Sequence, residues 1–265
     1  MCCKANKMQT PLIFVTILGL ALASPIQLEV QSRIEEALSN QDAQLRNSAL
    51  ENVLIGLVEE LRGTMVTGSD DVPVLDPLEL DHLLIGDDVL PIPGAKVEVN
   101  DLTVSKLSTF VFDTLSVNTV SLFLQRYSLD FDFNVPVLEI DAKHYDLAID
   151  VAGTNIFGSG DAKIDIIKPR FKGSLLLAPR ISIGSGIHLN ILESNVQFEL
   201  GGFESQINGL FNDNSLAAFI NTFLKHFVPD LVKMYEDDIN KVLSDTVKDV
   251  GNDILADINV GGIIG

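Results

Sequence analysis

The spacing of hydrophobic residues changes twice along this chain of 265 residues. From Leu28 to Arg62 apolar positions recur at helical spacing, most clearly at Leu50, Val53, Leu54, Leu57, Val58 and Leu61. The pattern predicts an N-terminal amphipathic helix that ends at Gly63. It leaves open whether this is one long helix or two shorter ones with a break near Asn47.

From the turn-rich residues 67–71 to about Leu200, apolar and polar positions alternate, which is typical of strands. The clearest runs are Val120, Leu122 and Leu124, then Tyr127, Leu129, Phe131 and Phe133, then Leu138, Ile140 and Ala142. A change of parity across Gln125 and Arg126 predicts a β-bulge. Because no helical stretch separates the runs, we expect an antiparallel meander with one apolar and one polar face.

Helical spacing returns beyond Gly202, with one stripe formed by Leu216, Phe219, Ile220, Phe223, Leu224 and Phe227. Residues 211–214 are expected to form a turn that caps a helix starting near Ser215. Pro229 is expected in the first turn of a second, longer helix. This order predicts an α+β fold, in which a strongly curved antiparallel sheet wraps a long C-terminal helix and an additional N-terminal helix completes the cover.

Residues 1–23 have the features of a secretory signal peptide. Lys4 and Lys7 precede an uncharged apolar run over residues 12–22, and small residues lead to a cleavage site after Ala23. The run is shorter than the roughly 20 apolar residues that span a bilayer. We therefore expect a secreted, extracellular protein with a single domain over residues 24–265.

The cysteine content and the net charge exclude further classes of function. Cleavage after Ala23 would remove Cys2 and Cys3, the two cysteines of the chain, and would leave no thiol for a disulfide or a zinc site. The 37 acidic residues outnumber the 18 basic ones and give a formal charge of −19. Such an acidic protein repels phosphate groups, so we expect no nucleic-acid partner and no stable membrane insertion.

Patterns for catalysis or metal binding do not occur in the sequence. The four histidines are widely spaced and form no His-x-x-x-His pair: His82, His144, His188 and His226. The Gly-Ser-Gly segments at 158–160 and 184–186 lack the spacing of a phosphate-binding loop and are expected as turns or bulges. No Gly-x-Ser-x-Gly elbow is found. We therefore expect no catalytic residue, no metal site, no cofactor and no enzyme activity.

Four short motifs stand in order along the chain. The first is Pro73, Leu75, Asp76, Pro77 and Leu78, and the second is Leu107, Ser108 and Phe110. The third is Pro136, Leu138, Ile140, Tyr145, Gly158, Gly160 and Ala162, and the fourth is Leu210, Phe211, Asn212, Asn221 and Phe223. Together, in this order and spacing, they resemble the insect juvenile-hormone-binding/takeout family.

The resemblance implies the tubular lipid-binding fold, with an elongated apolar tunnel between the long helix and the sheet. It also implies a carrier of terpenoid hormones, fatty acids or other lipids. The chain departs from the family pattern, since it lacks the usual cysteine pair near the mature N-terminus, has Ala142 at a family glycine and has Phe157 in place of a Leu-Pro pair. His226 and Phe227 stand near the usual position of a tryptophan. General lipid carriage is therefore better supported than specificity for juvenile hormone.

The ligand-binding residues are expected among the apolar side chains of the sheet and the C-terminal helix, in a chain with 14 phenylalanines and no tryptophan. They are Phe110, Phe112, Leu122, Leu124, Phe131, Phe133, Leu138, Ile140, Tyr145, Leu147, Phe198, Phe219, Phe223 and Phe227. A polar anchor is expected either at Tyr145 with His144 or at Tyr127 with Arg126.

The leading functional hypothesis is therefore a secreted carrier whose partner is a small hydrophobic ligand. The alternative hypothesis is an extracellular protein-interaction or innate-recognition module, in which the same fold has a closed tunnel. The sequence leaves the protein partner in that case unknown.

Overall fold

The structure is a computed structural model that describes residues 32–33, 36–37, 42–69, 72–85, 96–151, 154–182 and 186–256. The expected signal peptide, residues 1–23, lies outside the described residues.

The N-terminal helix α1 spans Ala43–Thr67. It begins at Asp42, whose side chain accepts hydrogen bonds from two backbone N–H groups of the first turn, and it ends at Gly68, where φ is 69°. The break considered near Asn47 and the end expected at Gly63 are both wrong, because α1 continues through these residues. A glycine inside a helix costs only about 1 kcal/mol, which the contacts of α1 with the sheet can outweigh.

In the described part of the chain, seven strands form one antiparallel sheet. They are β1 (Leu78–Ile85), β2 (Lys96–Ser105), β3 (Val111–Ser121), β4 (Arg126–Asn134), β5 (Val137–Val151), β6 (Thr154–Ser182) and β7 (Gly186–Ile207), with a 3₁₀ turn at Leu107–Thr109 between β2 and β3. The 29-residue β6 organises the sheet, since one of its edges pairs with β5 and then β4, and the other pairs with β7 along most of its length. The strand order is β1-β2-β5-β6-β4-β3, with β7 paired to β6, so the sheet is not a simple meander.

Irregular backbone keeps the apolar residues of both halves of β6 on one face. Lys168, in the middle of β6, has a φ of 46°. Ile166, which precedes it, packs in the same hydrophobic cluster as Phe133 of β4. Phe171, which follows it, pairs with Phe133.

The register of β3 and β4 shifts between Thr119 and Ser121, which pair with Tyr127 and Arg126, so the bulge expected at Gln125 and Arg126 lies on β3, opposite Arg126. Beyond it, a tight turn leads into β4. A turn of this length changes the parity of the pattern just as a bulge would.

Two C-terminal helices follow the sheet, α2 (Asn214–Met234) and α3 (Glu236–Leu255), and only Tyr235 separates them. The expected cap is confirmed, because the Asp213 side chain accepts hydrogen bonds from the first-turn backbone. The expected role of Pro229 is wrong, since it lies inside α2. Proline removes one helical hydrogen bond, and contacts of both helices with β7 outweigh that loss.

The hydrophobic core has two parts on the apolar face of the sheet. The first part joins the C-terminal half of α1 to β3, β4 and β5, through Met65, Val72, Leu75, Leu107, Phe110, Val135 and Leu138. The second joins the start of α2 to β2 and β5, through Val99, Ala142, Tyr145, Leu210 and Ala217. The expected α+β class is confirmed, with an antiparallel sheet, an N-terminal helix and a long C-terminal helical segment.

Candidate functional site

A row of four phenylalanines crosses the apolar face of the sheet at right angles to the strands. Phe112, Phe133, Phe171 and Phe198 lie on β3, β4, β6 and β7 and pair with one another in register. Their neighbouring ring centroids are 5.1, 5.2 and 5.0 Å apart. Cross-strand aromatic pairs at this spacing stabilise a sheet and present a continuous apolar surface. All four side chains are only partly buried.

Helices border this row at both edges of the sheet. At the β3 edge, the Val117 N–H donates to Glu51 Oε1 of α1 at 2.8 Å, and the Thr119 hydroxyl donates to Asn47 Oδ1 at 2.7 Å. At the β7 edge, polar side chains of α2 and α3 bind the strand backbone, for example Asn240 Oδ1, which accepts from the Phe198 N–H at 2.8 Å. The aromatic row therefore lies between two helical borders.

A groove of about 770 Å³ opens between α1 and β3, next to the row. Its lining is Ile55, Val58, Glu59, Arg62, Ser108, Thr109, Phe110, Val111, Phe112 and Leu115. Arg62 is the basic residue of this lining, and its guanidinium group lies 4.7 Å from the centre of the Phe110 ring. It also donates to the Phe110 carbonyl and to Glu59, each at 2.8 Å. The groove thus combines an apolar wall with one ion pair, formed by Arg62 and Glu59.

Two of the fourteen expected ligand-binding residues line this groove, and four others lie in the aromatic row or the adjoining core. Phe110 and Phe112 line it, and Phe133 and Phe198 continue the aromatic row. The ring centroids of Phe131 and Phe133 are 6.2 Å apart, and Leu138 belongs to the first part of the core. Arg62, Ile55 and Leu115 are lining residues that the sequence did not indicate, because helix–strand contacts of this kind cannot be read from periodicity.

The other expected residues lie elsewhere. Ile140, Tyr145 and Leu147 are on β5, towards the second part of the core. Leu122 and Leu124 lie in the exposed β3–β4 turn, where they are 58% and 50% exposed. Phe219, Phe223 and Phe227 form an exposed stripe on α2, beside a shallow depression of about 300 Å³. As ligand-binding residues, all these positions stay predictions.

Tyr145 already uses its hydroxyl group within the protein. The hydroxyl donates to the Asn208 carbonyl at 2.7 Å, and the residue is buried. Burial raises the pKa of Tyr145, and the nearby Asp161 carboxylate raises it further. Tyr145 therefore fastens the segment before α2 to the sheet, while the neighbouring His144 is exposed.

The four sequence motifs meet in pairs. Asp76 of the first motif accepts hydrogen bonds from the Lys106 N–H at 2.7 Å, from the Ser108 N–H at 2.8 Å and from the Ser108 hydroxyl. In the second pair, the segment around Asn208 crosses closely over Gly158 and Gly160, where a β-carbon on Gly160 would lie 2.4 Å from the Asn208 oxygen. The turn expected at residues 158–160 is wrong, because these glycines lie within β6 and allow this close approach. A bulge does occur beside them, since the register shifts between Ala142 and Tyr145 of β5, and Tyr145 pairs with Gly160.

The sequence profile of the haemolymph juvenile hormone binding protein family matches residues 20–264, nearly the whole chain. The chain belongs to this family. The resemblance based on the four motifs is therefore confirmed. No curated protein sequence matches the chain significantly.

A solved family structure has the same fold. Takeout 1 of Epiphyas postvittana matches 82% of this chain and 95% of its own, with a TM-score of 0.51 and 17% sequence identity. The expected curved antiparallel sheet with its long C-terminal helix is confirmed by this match, and the apolar tunnel stays a prediction. Lipopolysaccharide binding protein matches over 78% of this chain and 39% of its own. The TM-score of this match is only 0.34, and the sequence identity is 8%.

In the part of the chain that the structure describes, no three His, Cys, Asp or Glu side chains are grouped as metal ligands. Within the same residues, no helix is both long and apolar enough to cross a membrane.

Proposed function

We propose that this protein is a secreted carrier that binds a small hydrophobic molecule, such as a terpenoid, a fatty acid or another lipid. The observation that supports this most directly is the groove of about 770 Å³ that opens beside the aromatic row. Apolar concave sites with a few fixed polar groups are typical of small-molecule binding. The family name, which refers to a juvenile hormone, supports a ligand of this class.

Burial supplies most of the affinity in such a site. A ligand that buries roughly 350 Å² of apolar surface gains about 9 kcal/mol at about 25 cal/mol per Å². Association costs several kcal/mol, so we expect dissociation constants from micromolar to high nanomolar. No covalent chemistry is needed.

Secretion is part of the proposal. Residues 1–23 would direct export and be removed, and the N-terminal sequence of protein recovered from the medium of expressing cells tests this. Mature protein that begins near Ser24 supports the proposal, and intact protein retained in the cells contradicts it.

A groove-filling substitution tests carriage. Ile55 lines the groove on α1 and is 47% exposed, so Ile55→Trp should fill the site with little cost to folding. We expect it to weaken binding of dansyl-labelled undecanoic acid at least tenfold in a fluorescence titration. Leu84→Trp is the matched control, since Leu84 is an exposed aliphatic residue of β1 outside this groove, and it should change the affinity less than twofold.

Two results would contradict carriage in this groove. One is equal binding by both variants, which would place the ligand elsewhere. The other is no binding by the unmodified protein, together with no lipid in a mass-spectrometric analysis of its organic extract.

The alternative, a protein-interaction or recognition module, is favoured by the α2 stripe. Phe219 is 67% exposed, Phe223 49% and Phe227 40%, and exposed apolar residues in such a row are typical of interaction surfaces. An empty extract combined with a partner lost on Phe219→Asp, while Leu84→Asp retains that partner, would support this alternative.

A further inference from the structure

Acidic residues are missing from two stretches of this strongly acidic chain. None of the 37 acidic residues lies in residues 114–129 or in residues 173–192. The ionisable groups of these stretches, tyrosine apart, are Arg126, Arg180 and His188. A chain of formal charge −19 thus contains two long segments that are neutral to weakly basic.

The fold brings these two segments to the same end of the sheet. The first contains the β3–β4 turn, and the second contains the end of β6 and the start of β7, with residues 183–185 outside the described residues. Tyr127 of β4 pairs with Leu177 of β6, so both hairpins point in one direction. We call this region the hairpin end. Leu84 lies towards the opposite end of the sheet. It pairs with Glu98 of β2, Glu98 pairs with Asp146 of β5, and Asp146 pairs with Ser159 near the start of β6.

The β3–β4 turn makes the hairpin end an apolar projection. Phe123 at its tip is 93% exposed, and Val120, Leu122 and Leu124 are each at least 50% exposed. The turn satisfies backbone groups internally, since the Leu124 N–H donates to Ser121 Oγ and the Gln125 N–H donates to the Leu122 carbonyl. Apolar groups can enter a lipid phase only when the backbone beside them has its hydrogen bonds made.

Neighbouring elements add one apolar residue and a few acids. The start of α1 contacts β3 through Asn47, and Leu45 there is 59% exposed. Asp42 at the same helix end is engaged in capping backbone N–H groups. On the β7 side, Asp249 and Asp253 of α3 are exposed near Ile191, which binds Asn252. These acids therefore border the hairpin end, and none of them lies in the β3–β4 turn itself.

We propose that the hairpin end docks reversibly on the surface of a zwitterionic phospholipid bilayer. Docking goes beyond the proposed carriage and does not require it. A tip that projects with almost no contacts of its own fits a soft lipid surface better than a flat protein interface, which needs shape complementarity. The acidic body, repelled by anionic lipids, favours a zwitterionic surface.

A single tryptophan can report docking, because the chain has none of its own. In Phe123→Trp the new residue replaces the exposed tip. We expect a blue shift of its emission on addition of phosphatidylcholine vesicles, and at least a twofold quenching when the acyl chains are brominated. Leu84→Trp, the matched control at the opposite end, should show neither change.

A second variant tests docking without a reporter. Val120→Ser combined with Phe123→Ser should reduce flotation of the purified protein with phosphatidylcholine vesicles at least fivefold. Because both positions are exposed, this variant should unfold at the same urea concentration as the unmodified protein. Docking is overturned if flotation is unchanged, if both tryptophans respond alike, or if sedimentation shows that the tip instead joins two copies of the chain.

Docking and carriage can fail separately. If the protein carries lipids, the double serine variant should extract dansyl-labelled undecanoic acid from vesicles at least fivefold more slowly and bind it in solution with unchanged affinity. Normal vesicle docking with no binding of the probe would contradict carriage alone. Normal binding with no vesicle docking would contradict the docking proposal alone.

Discussion

Asp76 shows what the motif residues of this family do in this chain. Its carboxylate accepts hydrogen bonds from the backbone N–H groups of Lys106 and Ser108 and from the Ser108 hydroxyl. These bonds hold the segment before β1 against the 3₁₀ turn that precedes β3, where Lys106 has a φ of 69°. The motif therefore fixes the wall of the groove, which includes Ser108.

Replacing Asp76 tests this structural role. Asp76→Asn removes the charge and turns one acceptor oxygen into a donor that faces other donors. Hydrogen bonds to a charged group are worth about 1.5–3 kcal/mol each, so we expect the free energy of unfolding to fall by about 3 kcal/mol in a urea titration. Asp81→Asn, at an exposed position of β1, is the control and should change it by less than about 0.5 kcal/mol. Equal effects of the two substitutions would refute the role of Asp76.

Single residues show the limits of the sequence pattern. Phe112, Phe133 and Phe198 could be chosen correctly as apolar sheet residues, because strand alternation reports which face a residue lies on. Leu122 and Leu124 alternate in the same way, yet they lie in a turn, since alternation does not report where a strand ends. Arg62 has no signal of its own, because its site is made by packing of α1 against distant residues.

At the scale of elements, α3 borders the sheet through a ladder of polar side chains. Four of them recur at every fourth position and so lie on one helix face: Asn240, Ser244, Lys248 and Asn252. They bind β7 backbone groups of Phe198, Val196, Leu192 and Ile191, respectively, at 2.6–2.8 Å. Asn221 of α2 binds the Ile207 backbone in the same way. Side chains thus replace the strand that would otherwise pair with β7.

Ser244 is the residue of this ladder that is best suited to a test. Val196 is only 2% exposed, and its N–H group donates to Ser244 Oγ at 2.8 Å, so Ser244→Ala leaves a buried donor without its partner. We expect a loss of about 1–3 kcal/mol in the free energy of unfolding, with faster amide exchange at Val196. Ser48→Ala, at an exposed position of α1, is the matched control and should be neutral or slightly stabilising. Unchanged exchange at Val196 would argue against the ladder.

Elements were predicted best where the pattern is long. The N-terminal helix, the strands and the C-terminal helices all follow from hydrophobic spacing, and Asp213 marks the start of α2 correctly. Gly63 and Pro229 were misleading, because both are weak helix formers that tertiary contacts hold inside helices. The strand order could not be predicted, since nothing in the local sequence shows that β6 pairs with β5 and β4 in turn.

At the scale of the whole molecule, the chain has a large excess of negative charge. Acidic residues follow one another on exposed helix faces, such as Asp245, Asp249 and Asp253 at every fourth position of α3. Like charges at this spacing repel one another. With a total formal charge of −19, repulsion between acidic groups destabilises the folded protein, and added salt weakens this repulsion.

Salt should therefore stabilise the protein. Raising sodium chloride from about 20 to about 300 mM shortens the range over which charges interact, and we expect the melting temperature to rise by about 2–4 °C, which corresponds to about 1 kcal/mol. A variant with Asp245→Asn and Asp249→Asn should melt higher at low salt and gain less from added salt. A melting temperature that falls with salt would contradict this explanation.

The helices whose side chains form the ladder on β7 are made after the sheet during biosynthesis. β7 ends at Ile207, and the helices that border it begin only at Asn214, so the ribosome completes the whole sheet before it makes the border. During that interval the outer edge of a 22-residue strand has exposed backbone groups, which readily pair with another chain. Chains that stop before α2 should therefore aggregate in the cell, and the final helices decide whether newly made protein stays soluble.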